Sequence, residues 1–234
     1  MKISVDIKSV HVKNGNNKSK ILDENKFSLK TNFIYTITGE NGAGKSTLLN
    51  TIIGYFNQKV YSVKGEVFYD NIDILKLTEN EKRNFRKEKI RFVLQDAIGS
   101  FDPLKKFEYY FNGLDSHKPL LNSYLEYFGL PDSTQLFQLY PYEVSGGMAQ
   151  RISIVLGLLA NPEILILDEP NSAVDLPTSN LISLKLKEFA HESQKIVLIV
   201  TQDIKFAKVT SDFISRMKNG KLEPFVSPEN YNYT

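Results

Sequence analysis

The sequence predicts an α/β fold, in which a parallel sheet packed against helices is edged by antiparallel strands and carries a helical subdomain. Three observations carry this expectation. Phe33-Ile34-Tyr35-Thr36-Ile37-Thr38 is rich in β-branched and aromatic residues and runs directly into Gly39, after which a helix is expected from Lys45. Residues 164–167 and 196–200 are continuous apolar runs, the pattern of parallel strands buried on both faces. Between them, residues 181–190 suit the crossover helix that joins two parallel strands.

The remaining elements follow in order. Residues 3–12 and 28–29 read as two strands, with the polar stretch Lys13-Asn14-Gly15-Asn16-Asn17-Lys18-Ser19-Lys20 as the loop of a hairpin. The helix from Lys45 is expected to reach Phe56. A turn region at 54–64 precedes a strand pair around 65–69. Residues 79–89 are charged and helical in character, a solvated face, and 90–94 form a short apolar strand. Residues 97–142 differ in texture: rich in Phe, Tyr and Leu and interrupted by Pro103, Pro119 and Pro131, they predict small helices. Residues 146–160 form another helix, so the helical subdomain covers about 97–160 within a single domain of residues 1–234. The end from Asn219 is expected to be a turn, a short strand and an irregular tail.

At 234 residues the chain can bury one sizeable core. Its 41% hydrophobic and 24% charged content are ordinary for a globular protein. A formal charge of +2 offers no basic field for nucleic acid, and no nucleic-acid partner is expected. The absence of Cys removes disulfides and thiolate metal sites and fits a reducing compartment. His11, His117 and His191 lie far apart in sequence and suggest no metal cage. The N-terminus has no apolar signal core, and the apolar runs are too short to cross a bilayer. Work at a membrane would therefore need another chain to cross it.

Three motifs carry chemistry. Gly39-Glu40-Asn41-Gly42-Ala43-Gly44-Lys45-Ser46-Thr47 satisfies the P-loop pattern between a strand and a helix, the context that gives the motif meaning. Its glycines let backbone N–H groups curl towards phosphates, and the helix N-terminus favours an anion. Lys45 is placed to reach the β- and γ-phosphates and Ser46 to ligate Mg²⁺. Residues 164–169 form an apolar strand ending in Asp168 and Glu169. Strand alternation would send the two carboxylates to opposite sides, with Asp168 in the Mg²⁺ shell and Glu169 orienting or deprotonating water. Val144-Ser145-Gly146-Gly147-Met148 opens a helix. Ser145 is an expected N-cap, and the two glycines suit a second anion-binding helix start that meets a γ-phosphate.

The order of P-loop, Gln95, Ser145-Gly146-Gly147 and Asp168-Glu169 resembles the ATP-binding cassette (ABC) family over essentially the whole chain. The resemblance implies an ATPase using ATP and Mg²⁺. Gln95 would link the Mg²⁺ site to a membrane-spanning partner, and Asp175, in Ser172-Ala173-Val174-Asp175, would lie on a loop at a dimer interface. Ser145, Gly146 and Gly147 would contact ATP held by a second cassette subunit in a head-to-tail dimer.

Finer matches resemble the peptide and nickel importer ATPases: Gln95-Asp96 with Ser100-Phe101-Asp102-Pro103, and Tyr140-Pro141-Tyr142-Glu143-Val144-Ser145-Gly146-Gly147-Met148. They imply a peripheral subunit at the cytoplasmic face of the cell membrane. It would power import of peptides, nickel or metal–metallophore complexes through integral permease subunits, fed indirectly by an extracellular binding protein. The cluster Phe101, Phe107, Tyr109, Tyr110, Phe111 suits either core or a groove for a permease helix.

Two positions depart from the family pattern. Gln202 stands where the family has its switch histidine; an amide can touch a γ-phosphate but cannot become cationic. Val12, beside His11, stands where an aromatic stacks on adenine. Gln202 suggests unequal ATP sites in a dimer with a different cassette, and Val12 a weaker hold on the adenine base. The alternatives are a soluble or a regulatory ABC ATPase with weak hydrolysis, not coupled to import.

Overall fold

The computed structural model describes residues 1–14, 17–114, 118–192 and 194–233. His117, like Gly15 and Asn16 of the expected loop, lies outside the described residues. Two sheets organise the chain. The antiparallel one contains β1 (Lys2–Asn14), β2 (Asn17–Lys30), β4 (Tyr61–Tyr69) and β5 (Ile72–Asp73), in the order β2-β1-β4-β5. The other contains β3 (Phe33–Thr38), β6 (Ile90–Val93), β7 (Ile164–Asp168), β8 (Ile196–Val200), β9 (Phe213–Lys218) and β10 (Lys221–Leu222). Its order is β10-β9-β3-β8-β7-β6, parallel throughout except for β10.

The continuous apolar runs behave as their pattern requires. Leu165, Leu167, Val197 and Ile199 are fully buried in the core on one side of the parallel sheet. Their neighbours Ile164, Ile166, Ile196, Leu198 and Val200 are buried in the core on the other. With both faces covered, no alternation of polar residues is possible in these strands.

The hairpin is much longer than expected. Residues 13–20 do not form a broad loop: Lys13 pairs with Lys18, Val12 with Ser19 and His11 with Lys20. Cross-strand hydrogen bonds satisfy the backbone whatever the side chains are, so polar residues extend the ladder, with Lys18, Ser19 and Lys20 exposed. The register shifts between Val10 and His11, leaving Ile21 as the extra residue of a bulge.

Helix α1 (Lys45–Ile52) stops four residues short of the expected end, because Gly54 adopts a left-handed φ of 62°. Helix α2 (Glu79–Lys89) starts in a capping box between Thr78 and Glu81. It is not wholly a solvated face: Lys82 is fully buried, donates to Glu79 at 2.9 Å and lies over the Phe56 ring. Between β6 and β7 the chain forms α3 (Phe107–Phe111), α4 (Lys118–Tyr127), α5 (Ser133–Leu136) and α6 (Gly146–Leu159). Arg151 secures α6 by donating to the carbonyl of Phe128 at 2.7 Å. The crossover helix α7 (Leu176–Glu192) is longer than expected, and α8 (Ile204–Thr210) with β9 follows. The tail returns to the core, where the buried Tyr231 hydroxyl bonds to that of Thr38 at the end of β3.

Candidate nucleotide site

The parallel strands β3, β8 and β7 lie side by side, and their C-terminal ends deliver residues 39–47, Thr201–Gln202 and Asp168–Glu169 to one place. A cleft of ≈ 390 Å³ opens there, lined by Ile21, Asn41, Gly42, Gly44, Lys45, Ser46, Thr47, Gln95, Asp168, Glu169 and Gln202. This is the position where open α/β sheets hold ligands.

The loop holds its shape because only glycine fits. Gly39 has φ 145°, and a Cβ there would sit 2.4 Å from the carbonyl oxygen of Met217. Gly44 has φ 106° and caps α1 in the left-handed region, with Leu22 2.9 Å from where its Cβ would be. The buried Lys45 ammonium donates to the carbonyls of Gly39 at 2.7 Å and Glu40 at 2.8 Å. Burial pushes Lys45 below the usual lysine range, opposed by the carboxylates of Glu169 and Asp168. Glu40 and Ala43 face away, lining a separate cleft of ≈ 200 Å³ with Arg216, Met217, Lys218 and Asn219.

Strand alternation does not send the two carboxylates to opposite sides. Asp168 ends β7, and Glu169 has already turned into the left-handed region at φ 48°, so both line the same cleft. Burial and then the neighbouring Glu169 raise the Asp168 carboxyl above its ordinary value, opposed by Lys45. Glu169 accepts from the Thr201 hydroxyl at 2.8 Å and from the Gln202 backbone N–H at 3.0 Å. The Gln202 side chain donates to Asn41 of the loop at 2.9 Å. Ser46, Gln95 and Asp168 offer hydroxyl, amide and carboxylate oxygens to one cleft, a donor set that fits Mg²⁺.

Five expected contributors stand elsewhere. Ser145 caps α6, accepting from the Met148 N–H at 3.2 Å, and both it and Gly146 are exposed, outside the cleft. Gly147 packs on the loop that leads to Asp175: a Cβ there would lie 2.8 Å from the carbonyl oxygen of Ala173. Asp175 immediately precedes α7, accepting from the Thr178 N–H at 2.9 Å, and hydrogen bonding to Thr178 holds its carboxyl below the ordinary value. Val12 pairs with Tyr61 and Ser19 and does not line the cleft.

With this geometry, the ABC transporter family profile matches residues 22–172. The chain belongs to the ABC transporter family. It is 29% identical over 205 residues to the metal-staphylopine import system ATP-binding protein CntD of Staphylococcus aureus, across 84% of this chain and 75% of that protein. It is 31% identical to the dipeptide transport ATP-binding protein DppD of Bacillus subtilis, across 84% of this chain and 62% of that one. Some relatives are thus considerably longer than the segment they share. Among solved structures, the dimeric post-hydrolysis state of the ATP-binding cassette MJ0796 bound to ADP and Pi superposes with a TM-score of 0.83. The identity is 27%, covering 98% of this chain and all of that one.

The chain is therefore an ABC ATPase, a protein that binds and hydrolyses ATP, and its α/β fold with an antiparallel sheet and inserted helices is that of an ABC cassette. Two cleft features escaped sequence reasoning. Ile21 enters through the bulge between β1 and β2, and Thr201, fully buried and not itself lining the cleft, supports it as a partner of Glu169. The aromatic cluster divides. Phe101, Phe107 and Phe111 are buried in the core, and Phe101 with the partly buried Tyr110 also borders a groove of ≈ 480 Å³ with Phe92, Leu94, Leu156 and Gly157. Tyr109 is largely exposed.

Proposed function

We propose that this ABC ATPase is the motor subunit of a membrane importer for peptides, nickel or a metal–metallophore complex. The observation that carries the mechanism is the division of its polar machinery. Lys45, Ser46, Gln95, Asp168 and Glu169 share one cleft, whereas Ser145 and Gly146 lie exposed outside it at the start of a 14-residue helix. One chain thus presents one half of each of two sites. A second cassette, packed head-to-tail, supplies the complementary half; that similar cassettes form dimers supports the need for a second subunit.

In the closed dimer, Lys45 and the N–H groups of the loop hold the phosphates, and Ser145 to Gly147 meet the γ-phosphate bound by the partner. Ser46, Asp168 and Gln95 would hold Mg²⁺, which would supply neutralisation of phosphate charge. Glu169 orients the attacking water and accepts its proton, and Gln202 contacts the γ-phosphate as a neutral donor. Because Gln202 cannot become cationic, the partner is a different cassette whose own site is faster. Val12 leaves the base without an aromatic platform at that position.

Importer function rests on the names of the relatives, which are import and peptide transport subunits. Among the described residues no helix is long and apolar enough to cross a membrane, so permease subunits would do so. The groove bordered by Phe101 and Tyr110, at the base of the 97–160 helical subdomain, suits a permease helix at the cytoplasmic membrane face. The test is ATPase and uptake in the purified complex. Lys45→Ala should weaken nucleotide binding at this site, and Glu169→Gln should keep binding while lowering its turnover about 100-fold or more. Unchanged turnover in Glu169→Gln at this chain's site would overturn the assignment.

A further inference from the structure

Glu169 is held more completely than a residue merely poised beside a cleft. Its backbone is pinned at φ 48°: its N–H donates to Val200 at 2.8 Å, and its carbonyl accepts from the N–H and hydroxyl of Ser172 at 3.2 and 3.0 Å. Each carboxylate oxygen has one donor, the Thr201 hydroxyl on Oε2 and the Gln202 N–H on Oε1.

Thr201 is fully buried, and a hydroxyl has one proton to give and lone pairs to accept with. The Asp203 N–H donates to Thr201 Oγ1 at 3.0 Å, which leaves the hydroxyl proton directed at Glu169. Asp203 is itself immobilised. Its carboxylate caps α8 through the Phe206 N–H at 2.9 Å and accepts from the Asn171 side chain at 2.9 Å. The hydroxyl thus ties the carboxylate to a helix cap on one side of the cleft, and the remaining lone pairs of Glu169 are left for a water.

We propose that Thr201 is a positioning residue for Glu169, fixing the rotation of its carboxylate so that a free lone pair faces the attacking water. Thr201 acts through Glu169 and touches no substrate. The proposal rests on the reading of Glu169 as the base. Removing the hydroxyl leaves the carboxylate held by the Gln202 N–H alone, free to rotate about its last bond.

The experiment compares Thr201→Val, Thr201→Ser, Glu169→Gln and the Thr201→Val/Glu169→Gln double variant in the assembled complex. With the partner cassette's own site inactivated, it reads kcat and KM for ATP at this chain's site, affinity for a fluorescent ATP analogue, and the thermal midpoint. Thr201→Val should lower kcat about 10-fold, the factor for losing a hydrogen bond to a charged group, with KM and analogue affinity within about 2-fold. Thr201→Ser should restore most of the rate. In the Glu169→Gln background, Thr201→Val should add less than about 2-fold, since a positioning effect needs the base it positions. Full kcat in Thr201→Val while Glu169→Gln collapses would overturn the proposal. So would an equal loss in both backgrounds, which marks a merely structural residue. Full turnover in Glu169→Gln at this site would instead overturn the reading of the base.

Discussion

Substituting Gly39 and Gly42 separately by Ala tests whether backbone sterics hold the phosphate loop, because the two positions differ in a way the structure specifies. Both have positive φ, 145° at Gly39 and 79° at Gly42. At Gly42 an added Cβ meets nothing within 4 Å, so the cost is conformational alone, about 1–2 kcal/mol. At Gly39 the Cβ would lie 2.4 Å from Met217 O and 3.3 Å from its carbonyl carbon. That carbonyl belongs to β9, which pairs with β3 and β10 and cannot retreat without disturbing the sheet edge. Backbone strain of about 1–3 kcal/mol is thus compounded by an overlap that only strand movement relieves, for a total of about 3 kcal/mol or more. For a chain of this size, 1 kcal/mol moves Tm by about 2–4 °C. Gly42→Ala should therefore lower the Tm of the nucleotide-free protein by about 2–8 °C, and Gly39→Ala by about 6–12 °C or more. Gly39→Ala should also shrink the stabilisation by added Mg²⁺-ATP, since the Gly39 carbonyl that anchors Lys45 moves with the loop. Differential scanning fluorimetry with and without nucleotide measures both. Equal Tm losses in the two variants would refute the steric account.

Three further outcomes are expected. Because Ser145 and Gly146 lie outside this chain's own cleft, ATPase activity of the purified chain should rise steeply with concentration or added partner cassette; full specific activity in a sample shown to be monomeric by light scattering would contradict this. Gln202→His should leave ATP binding intact and turnover at this site equal or modestly faster, under about 10-fold, whereas removing the partner's own histidine should stop transport. A native homodimer would contradict the unequal-site account. Asp168→Asn should raise the Tm of the nucleotide-free protein at pH 7 while weakening Mg²⁺-dependent nucleotide binding. The Asp168 carboxyl is raised in the fold, so its ionised form destabilises above the folded-state pKa, and the penalty vanishes below the ordinary value of 3.8. The gain, followed by thermal melts across pH, should therefore fade as pH falls through that window.

The sequence by itself determined the elements whose cause is local. The runs at 164–167 and 196–200 read as strands buried on both faces, and the glycines at 39, 42 and 44 as a loop that curls its N–H groups towards phosphates; the structure has both. Ser145, Asp168 and Glu169 were legible because a cap, a strand end and a pair of acids are read within a few residues of chain. Tertiary structure decided what depends on pairing between distant segments. The polar residues 17–20 became strand because β1 was there to receive their hydrogen bonds, and the amphipathic β9 was stabilised by β3 beside it. Ile21 reached the cleft through a bulge that no periodicity announces. Thr201 met Glu169 across 32 positions because β8 lies next to β7, and Gln202 met Asn41 across 161 because β3 lies on the other side of β8. Periodicity reports which face of an element is apolar, whereas strand order sets which polar ends converge, and that order is settled only when the whole sheet assembles.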